Sequence, residues 1–262
     1  MRISLIVTTY DRPDALSLVF KSIESQIIKP FEVIIADDGS DERTSKVVEN
    51  FKVKSNFKVV HSYQSDKGFR ASRSRNKAIA KAEGDYIVLI DGDMILQSQF
   101  IKDHAINAKP GFFIQGSRVL LSEIITKSIL KKRKIFFNFF SAGLRNRKNT
   151  IHSNILSLFF SKESNHLYGI KTCNLAFFRE DCIRINGFNN NFEGWGREDS
   201  DFASRLMNIG IKRKSLKFNA IQYHLWHKEN NRESLVDNDA ILQMTIDRKV
   251  TWCDNGIDRF FL

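Results

Sequence analysis

The chain has 262 residues and a formal net charge of +11, from 41 Lys and Arg against 30 Asp and Glu. Its 42% hydrophobic and 27% charged content excludes a disordered or collagen-like polymer, and its length suffices for one substantial core, or a core with a smaller lobe. Three cysteines are too few for a disulfide framework, so a reducing compartment is expected, while the cationic surplus points to a polyanionic partner: nucleic acid, a phosphorylated small molecule or an anionic membrane.

At the N-terminus, MRISLIVTTYDRPD has one arginine and a short apolar run that turns polar at once. It lacks the length of a signal peptide and is expected to form the first strand of the fold. No window reaches 18 uninterrupted apolar residues, so the expected location is the cytoplasm, with any membrane contact peripheral and on its cytoplasmic face. Short Ile- and Val-rich runs at 3–7, 32–36, 57–60 and 86–90 alternate with helical spacing near 14–27, 41–53 and 71–83. That alternation predicts βαβ units and a mostly parallel sheet, because strands buried on both faces read as continuous apolar runs. The polar segments TTYDRPD, ADDGSDE, YQSDKGFRASRSRN and DGDM follow the four runs, where such a sheet places its ligands. Plain turns would explain one such loop better than four in succession.

From 119 to 165 the character changes to clustered Lys and Arg among Ile, Leu and Phe, compatible with one or two amphipathic helices. Their apolar faces could pack on the sheet, or they could form a basic-aromatic patch for an anionic membrane or a charged acceptor. Beyond 168, KTCNLAFFRED predicts a strand leading into a turn. REDSDFASRLMNIG predicts a helix with acids in its first turn, Phe202, Leu206 and Ile209 on one face, and Gly210 as its stop. The expected organisation is one domain in three parts: an α/β half over 1–118, a variable basic and aromatic insert over 119–167, and a C-terminal part over 168–262.

Four features can carry chemistry. Asp91 and Asp93 flank Gly92 at the end of the fourth apolar run, a weak pattern by itself that gains from its position. Hard carboxylate oxygens so placed suit Mg²⁺ or Mn²⁺, with the glycine letting backbone approach a ligand. In YHLWH, His224 and His227 fit either hydrogen-bonded surface roles or the completion of a metal sphere. In GWGREDSD, Trp195 and Gly196 precede Glu198, Asp199 and Asp201; crowded acids keep a carboxylate basic, and an indole beside them suits a sugar ring. The basic run containing Lys67, Arg70, Arg73, Arg75 and Lys77 could neutralise phosphate, although not all five can face one pocket. No G-x-G-x-x-G follows the first strand and no P-loop occurs, which disfavours a dinucleotide dehydrogenase or a P-loop enzyme.

IVTTYDRPDAL, VIIADDGSDE and GFRASRSRNKAIAKAEGDYIVLIDGD resemble, in order and spacing over about the first 120 residues, the inverting family 2 of GT-A fold glycosyltransferases. TCNLAFFRED, GFNNNFEGWGREDSDFASRL and YHLWHKEN are similar to the C-terminal part of β-galactosyltransferases and bacterial chondroitin-type polymerases. This resemblance implies an α/β, GT-A (Rossmann-like) mostly parallel central sheet with flanking helices and a small acceptor-binding C-terminal lobe. It implies that Thr8, Tyr10 and Asp11 hold the base and ribose of a UDP-sugar and that Asp38 accepts from uracil. Arg75 would fix Asp38 or phosphate, Lys67 would serve the donor phosphates, and Gly92 would lie against the donor. Asp91 would contact ribose or metal, with Asp93 and His224 as ligands of Mn²⁺ or Mg²⁺. Asn174, Trp195 and Gly196 would line the sugar sites, with Asp199 the general base and Glu198 orienting the acceptor hydroxyl. Two departures stand out: Arg197 replaces a frequent glycine, and Thr172, Cys173 and Asn174 stand where several members have G-G-N.

The activity so implied is transfer of a hexose or N-acetylhexosamine from a UDP-sugar to a bacterial surface glycan or glycolipid, by direct displacement and without nucleic acid. A sugar-nucleotide pyrophosphorylase would need a Gly-rich, lysine-bearing loop after the first strand, and TTYDRPD is not one. A nucleic-acid-binding protein would need stacking aromatics or a helix-turn-helix, and neither is evident.

Overall fold

The computed structural model describes residues 1–228 and 232–261. Four βαβ-linked strands lead the chain: β1 (Ile3–Thr9), β2 (Glu32–Asp37), β3 (Lys58–Tyr63) and β4 (Tyr86–Asp91), joined by α1 (Pro13–Glu24), α2 (Glu42–Lys54) and α3 (Ala71–Ala80). Next come β5 (Met94–Leu96), α4 (Phe100–Asn107), β6 (Phe112–Gln115), β7 (Val119–Leu121), α5 (Glu123–Lys132), β8 (Leu144–Arg145), α6 (Asn154–Phe160) and β9 (Lys162–Ser164). The remainder is β10 (Leu175–Phe178), α7 (Arg179–Arg184), α8 (Glu198–Asn208), β11 (Lys212–Ser215), β12 (Gln222–His224) and α9 (Leu235–Asp247).

The main sheet has the order β3-β2-β1-β4-β10-β6-β11-β9. Its first four strands are parallel, β10 is antiparallel to both neighbours, and β11 is parallel to β6. The expected α/β sheet with flanking helices is therefore present. Side chains alternate between its two covered faces. Leu5, Val7, Val33, Ile35, Val88 and Ile90 meet α1, α2 and α4; Ile6, Ile34, Ile87 and Leu89 meet α3, α7 and α8. Burial on both faces is why ISLIV and YIVLI are unbroken apolar runs. Since β1 lies between β2 and β4, the connections diverge there, leaving a crevice beyond the carboxyl ends of β1 and β4.

Local chemistry explains the boundaries. Pro13 opens α1, where its missing N–H costs nothing, and Asp41 caps α2 by accepting from the Arg43 and Thr44 amides at 3.0 and 3.3 Å. The first helix was expected to reach residue 27, yet α1 ends at Glu24. Gln26 instead turns inward, bonding the Ser22 and Gln97 carbonyls, and the Ile27 amide pairs with Ser98. β3 outruns its predicted apolar core through His61, Ser62 and Tyr63 because, as the sheet's edge strand, it tolerates polar residues. KTCNLAFFRED forms the predicted strand, but a helix, α7, follows it rather than a turn. The predicted helix of 197–210 is α8, and Gly210 follows it at φ +89°. The three cysteines are free and buried.

A second sheet, β5-β12-β7-β8, covers α1 through Ala15 and Leu18 and contains Ile95, Val119, Leu121 and Tyr223. In it His224 lies opposite Met94, and the Leu225 amide donates to the Asp93 carbonyl at 3.0 Å. This pairing, which periodicity did not predict, brings the late histidines to the end of β4.

Candidate active site

The crevice floor is built from the ends of β1 and β4. Thr8 pairs with Asp91, and the Gly92 amide donates to the Thr8 carbonyl at 2.7 Å. A Cβ on Gly92 would sit 2.9 Å from Thr9 Oγ1 and 3.1 Å from the Thr8 carbonyl. The close approach of the protein's own first strand by itself calls for a glycine here.

Asp93 sits among Arg12, His224 and His227. Its Oδ2 accepts from Arg12 Nη1 at 2.5 Å and lies 3.5 Å from His224 Nε2 and 3.4 Å from His227 Nε2. Burial raises its pKa, but the bond to His224 and the charges of His224, Arg12 and His227 outweigh it, holding the carboxyl below the ordinary range. One carboxylate and two imidazoles present ligand atoms within 4.8 Å of one another. Asp93 Oδ1 is buried with no hydrogen-bond partner among the described residues. An orphaned carboxylate oxygen beside two imidazoles fits a divalent cation such as Mn²⁺. His224 and His227 enter together, although only His224 was expected. Asp91 lies outside this trio: its Oδ1 is 3.9 Å from Arg75 Nη2, and its pKa is raised by burial, with Arg75 opposing. Glu229 and Asn230, which extended the match after His227, lie outside the described residues.

Arg75 joins the two halves of the site. Its buried guanidinium donates to Glu198 Oε1 at 3.1 Å and to Thr8 Oγ1 at 3.4 Å, while also facing Asp91. Asp38 is held by Gln64 Nε2 at 2.6 Å and the Arg70 amide at 2.7 Å, with the charges of Arg70 and Arg75 also acting on it. Burial raises the Asp38 pKa, opposed by these donors. Glu198 and Asp199 open α8, where the helix dipole favours anions. Desolvation, reinforced by the neighbouring Glu198 charge, pushes Asp199 up to about 7, against a smaller opposing pull from Arg75. Asp201, expected to share this repulsion, is fully buried and neutralised by Arg205, which binds its Oδ2 through Nε and Nη2 at 3.0 and 2.7 Å. The crowding that matters is the pair 198–199.

The other expected residues are distributed unevenly. Tyr10 is exposed at the rim and donates to Asp66 at 3.1 Å; Asp11 accepts from the Asp41 amide at 2.8 Å. Lys67 is exposed in the 64–70 loop. Trp195 is partly exposed with the Arg232 guanidinium 5.0 Å over its ring, and the Gly196 carbonyl accepts from Asn238 at 3.0 Å. Arg197 stands at φ +76°, the left-handed region that favours glycine, paired with Asp239. Asn174 is fully buried and spent internally: its oxygen meets His104 Nε2 at 3.0 Å and its amide donates to the Ser117 and Ala220 carbonyls, both at 3.0 Å. It fastens the sheet junction instead of facing the crevice. Sequence reasoning missed Arg12, whose signal was a cation in the loop after the first strand, and it ranked His227 below His224.

The model of glycosyl transferase family 2 matches residues 4–165, and that of the N-terminal domain of galactosyltransferase matches 154–228. Both extend into the middle segment, where no resemblance was evident. A hyaluronan synthase of Pasteurella multocida is 27% identical over 94% of this chain, and a chondroitin synthase of Escherichia coli is 27% identical over 93%. The chain spans only 26% and 37% of those two proteins. Among solved structures, S. aureus TarS in complex with UDP superposes with a TM-score of 0.63 at 18% identity, covering 92% of this chain and 64% of that one. At that identity the likeness concerns the fold.

Proposed function

The chain belongs to glycosyl transferase family 2, and from that premise we propose that it is an inverting, metal-dependent transferase. Its donor would be a UDP-sugar carrying a hexose or N-acetylhexosamine, and its acceptor a hydroxyl of a bacterial surface glycan. The observation that carries this reading is Arg75, which ties the strand-end Asp91 to Glu198, next to an aspartate whose pKa is about 7. The similar synthases of glycan polymers support the acceptor class, and the uridine-nucleotide complex of the shared fold supports the donor. Residues 1–118 would bind the donor, and 168–262 would bind the acceptor and provide the base.

Asp93, His224 and His227 would hold the cation, which when bound offsets charge on the departing diphosphate. Asp199 accepts the proton of the acceptor hydroxyl as that oxygen attacks the anomeric carbon opposite the diphosphate, so one displacement inverts the configuration. A carboxylate near 7 is roughly half ionised at neutral pH and still basic enough to take that proton. Glu198, held by Arg75, keeps Asp199 basic and orients the acceptor. Trp195 offers its face to a sugar ring. The test is a panel of nucleotide sugars with Mn²⁺, measuring donor binding by calorimetry and acceptor-stimulated release of nucleotide. Binding of a UDP-sugar supports the reading; failure of every donor to bind overturns it.

A further inference from the structure

The net charge of the chain is concentrated in one segment. From Ile124 to Lys162 there are nine Lys and Arg and no Asp or Glu, leaving 32 cations against 30 anions elsewhere. Among the described residues only Lys127 of these nine forms an ion pair, with Glu123 at 2.7 Å. Apolar side chains face water in the same segment. In α6, Ile155, Leu158 and Phe159 share one stripe at i, i+3 and i+4, and are 72%, 80% and 74% exposed. Ser157, away from that stripe, is 3% exposed, so the helix has its polar side inward. It is held in this orientation: Ser153 caps the Leu156 amide at 3.2 Å, the Ser153 amide donates to the Phe218 carbonyl at 2.9 Å, and the Phe160 ring packs 5.6 Å from that of Phe218. Phe136 and Phe140 are exposed as well, Phe140 by 87%.

Apolar side chains and unpaired cations in one acid-free stretch complement a bilayer interface, where acyl chains take up Leu, Ile and Phe and anionic headgroups attract Lys and Arg. An apolar protein partner would leave eight cations unmatched. We propose that segment 124–162 docks the protein on an anionic phospholipid bilayer, with Ile155, Leu158 and Phe159 entering the interface and Lys131, Lys132, Arg145 and Lys148 facing the headgroups. No helix among the described residues is long and apolar enough to cross a membrane, so this contact lies on the surface.

The test is co-sedimentation of the whole chain with phosphatidylcholine vesicles, with and without an equal part of phosphatidylglycerol. No nucleotide or acceptor is added, so the result is independent of the catalytic reading. The expected result is at least ~tenfold stronger binding to the anionic vesicles, declining with added salt. The triple variant Ile155→Ser/Leu158→Ser/Phe159→Ser should lose at least ~tenfold of that binding with an unchanged thermal transition, because the three side chains are already in water. Should it misfold, Lys131→Gln/Lys132→Gln/Lys148→Gln carries the test and should lose both binding and salt dependence. Equal binding to neutral vesicles, undiminished binding by well-folded variants, or a wild-type dimer that the triple variant converts to a non-sedimenting monomer would each overturn the proposal.

Discussion

Replacing Asp199 by Asn should stabilise the protein at alkaline pH while abolishing transfer. Asp199 is raised from the ordinary 3.8 to about 7, chiefly by desolvation and next by the charge of Glu198. A carboxyl with a raised folded-state pKa contributes stability that is fully present below the unfolded value. That contribution is lost as pH rises through the folded value. Above about pH 7 the native state must carry an ionised Asp199 that the unfolded chain ionises far more readily, a difference of about 4 kcal/mol. At pH 5 only the part between the unfolded value and that pH is felt, about 1.5 kcal/mol. Asn has no charge to desolvate, and its oxygen can still accept the Ser200 amide that Asp199 accepts at 2.7 Å. The advantage of Asp199→Asn over wild type should therefore grow by about 2–3 kcal/mol between pH 5 and pH 8, roughly 5–10 °C in Tm. Urea unfolding at the two pH values reads this without any substrate. An equal effect at both would refute a raised Asp199, and retained turnover in the variant would refute its role as base.

Three further outcomes follow from the contacts of the crevice. Asp93→Asn should weaken Mn²⁺ binding by more than the ~10- to 100-fold typical of losing an outer-shell partner, read by calorimetry on the nucleotide-free protein. Arg12→Gln removes the guanidinium that opposes a cation at Asp93, and should tighten Mn²⁺ binding by about 1 kcal/mol, or roughly fivefold in Kd. Arg205→Met strands Asp201 as a buried, unpaired carboxylate and should cost about 3–5 kcal/mol, lowering Tm by roughly 10 °C. Adding Asp201→Asn should restore much of that loss.

The first half of the molecule was legible because each strand is a contiguous run buried on both faces, and its loops fall where a doubly wound sheet puts them. Asp91 and Asp93 were found for that reason. The rest depends on contacts distant in sequence. Arg12 reaches Asp93 across 81 positions and Arg75 reaches Glu198 across 123, neither separation marked by any local pattern. Asn174 was assigned to a sugar site by analogy, yet its side chain is consumed by His104, Ser117 and Ala220. The spacing over 119–165 was compatible with one or two amphipathic helices but could not say which side of α6 faces inward, since that is decided by Phe218 and Ser153. Likewise, three acids within four residues looked equivalent until Arg205 removed Asp201 from the group.

The ladder between β5 and β12 has a consequence for assembly. Met94 and His224 are neighbours only after the 129 residues between them have folded back, a closure that costs roughly 4 kcal/mol beyond a constant. Asp93 and His224 are then positioned by adjacent rungs of backbone hydrogen bonds, so a slip of one residue would present Tyr223 where the imidazole belongs. A growing chain that has completed its four parallel strands has no cation site to fill. The candidate site appears only with this long-range closure, and any uptake of Mn²⁺ during refolding would time that closure rather than the collapse of the sheet.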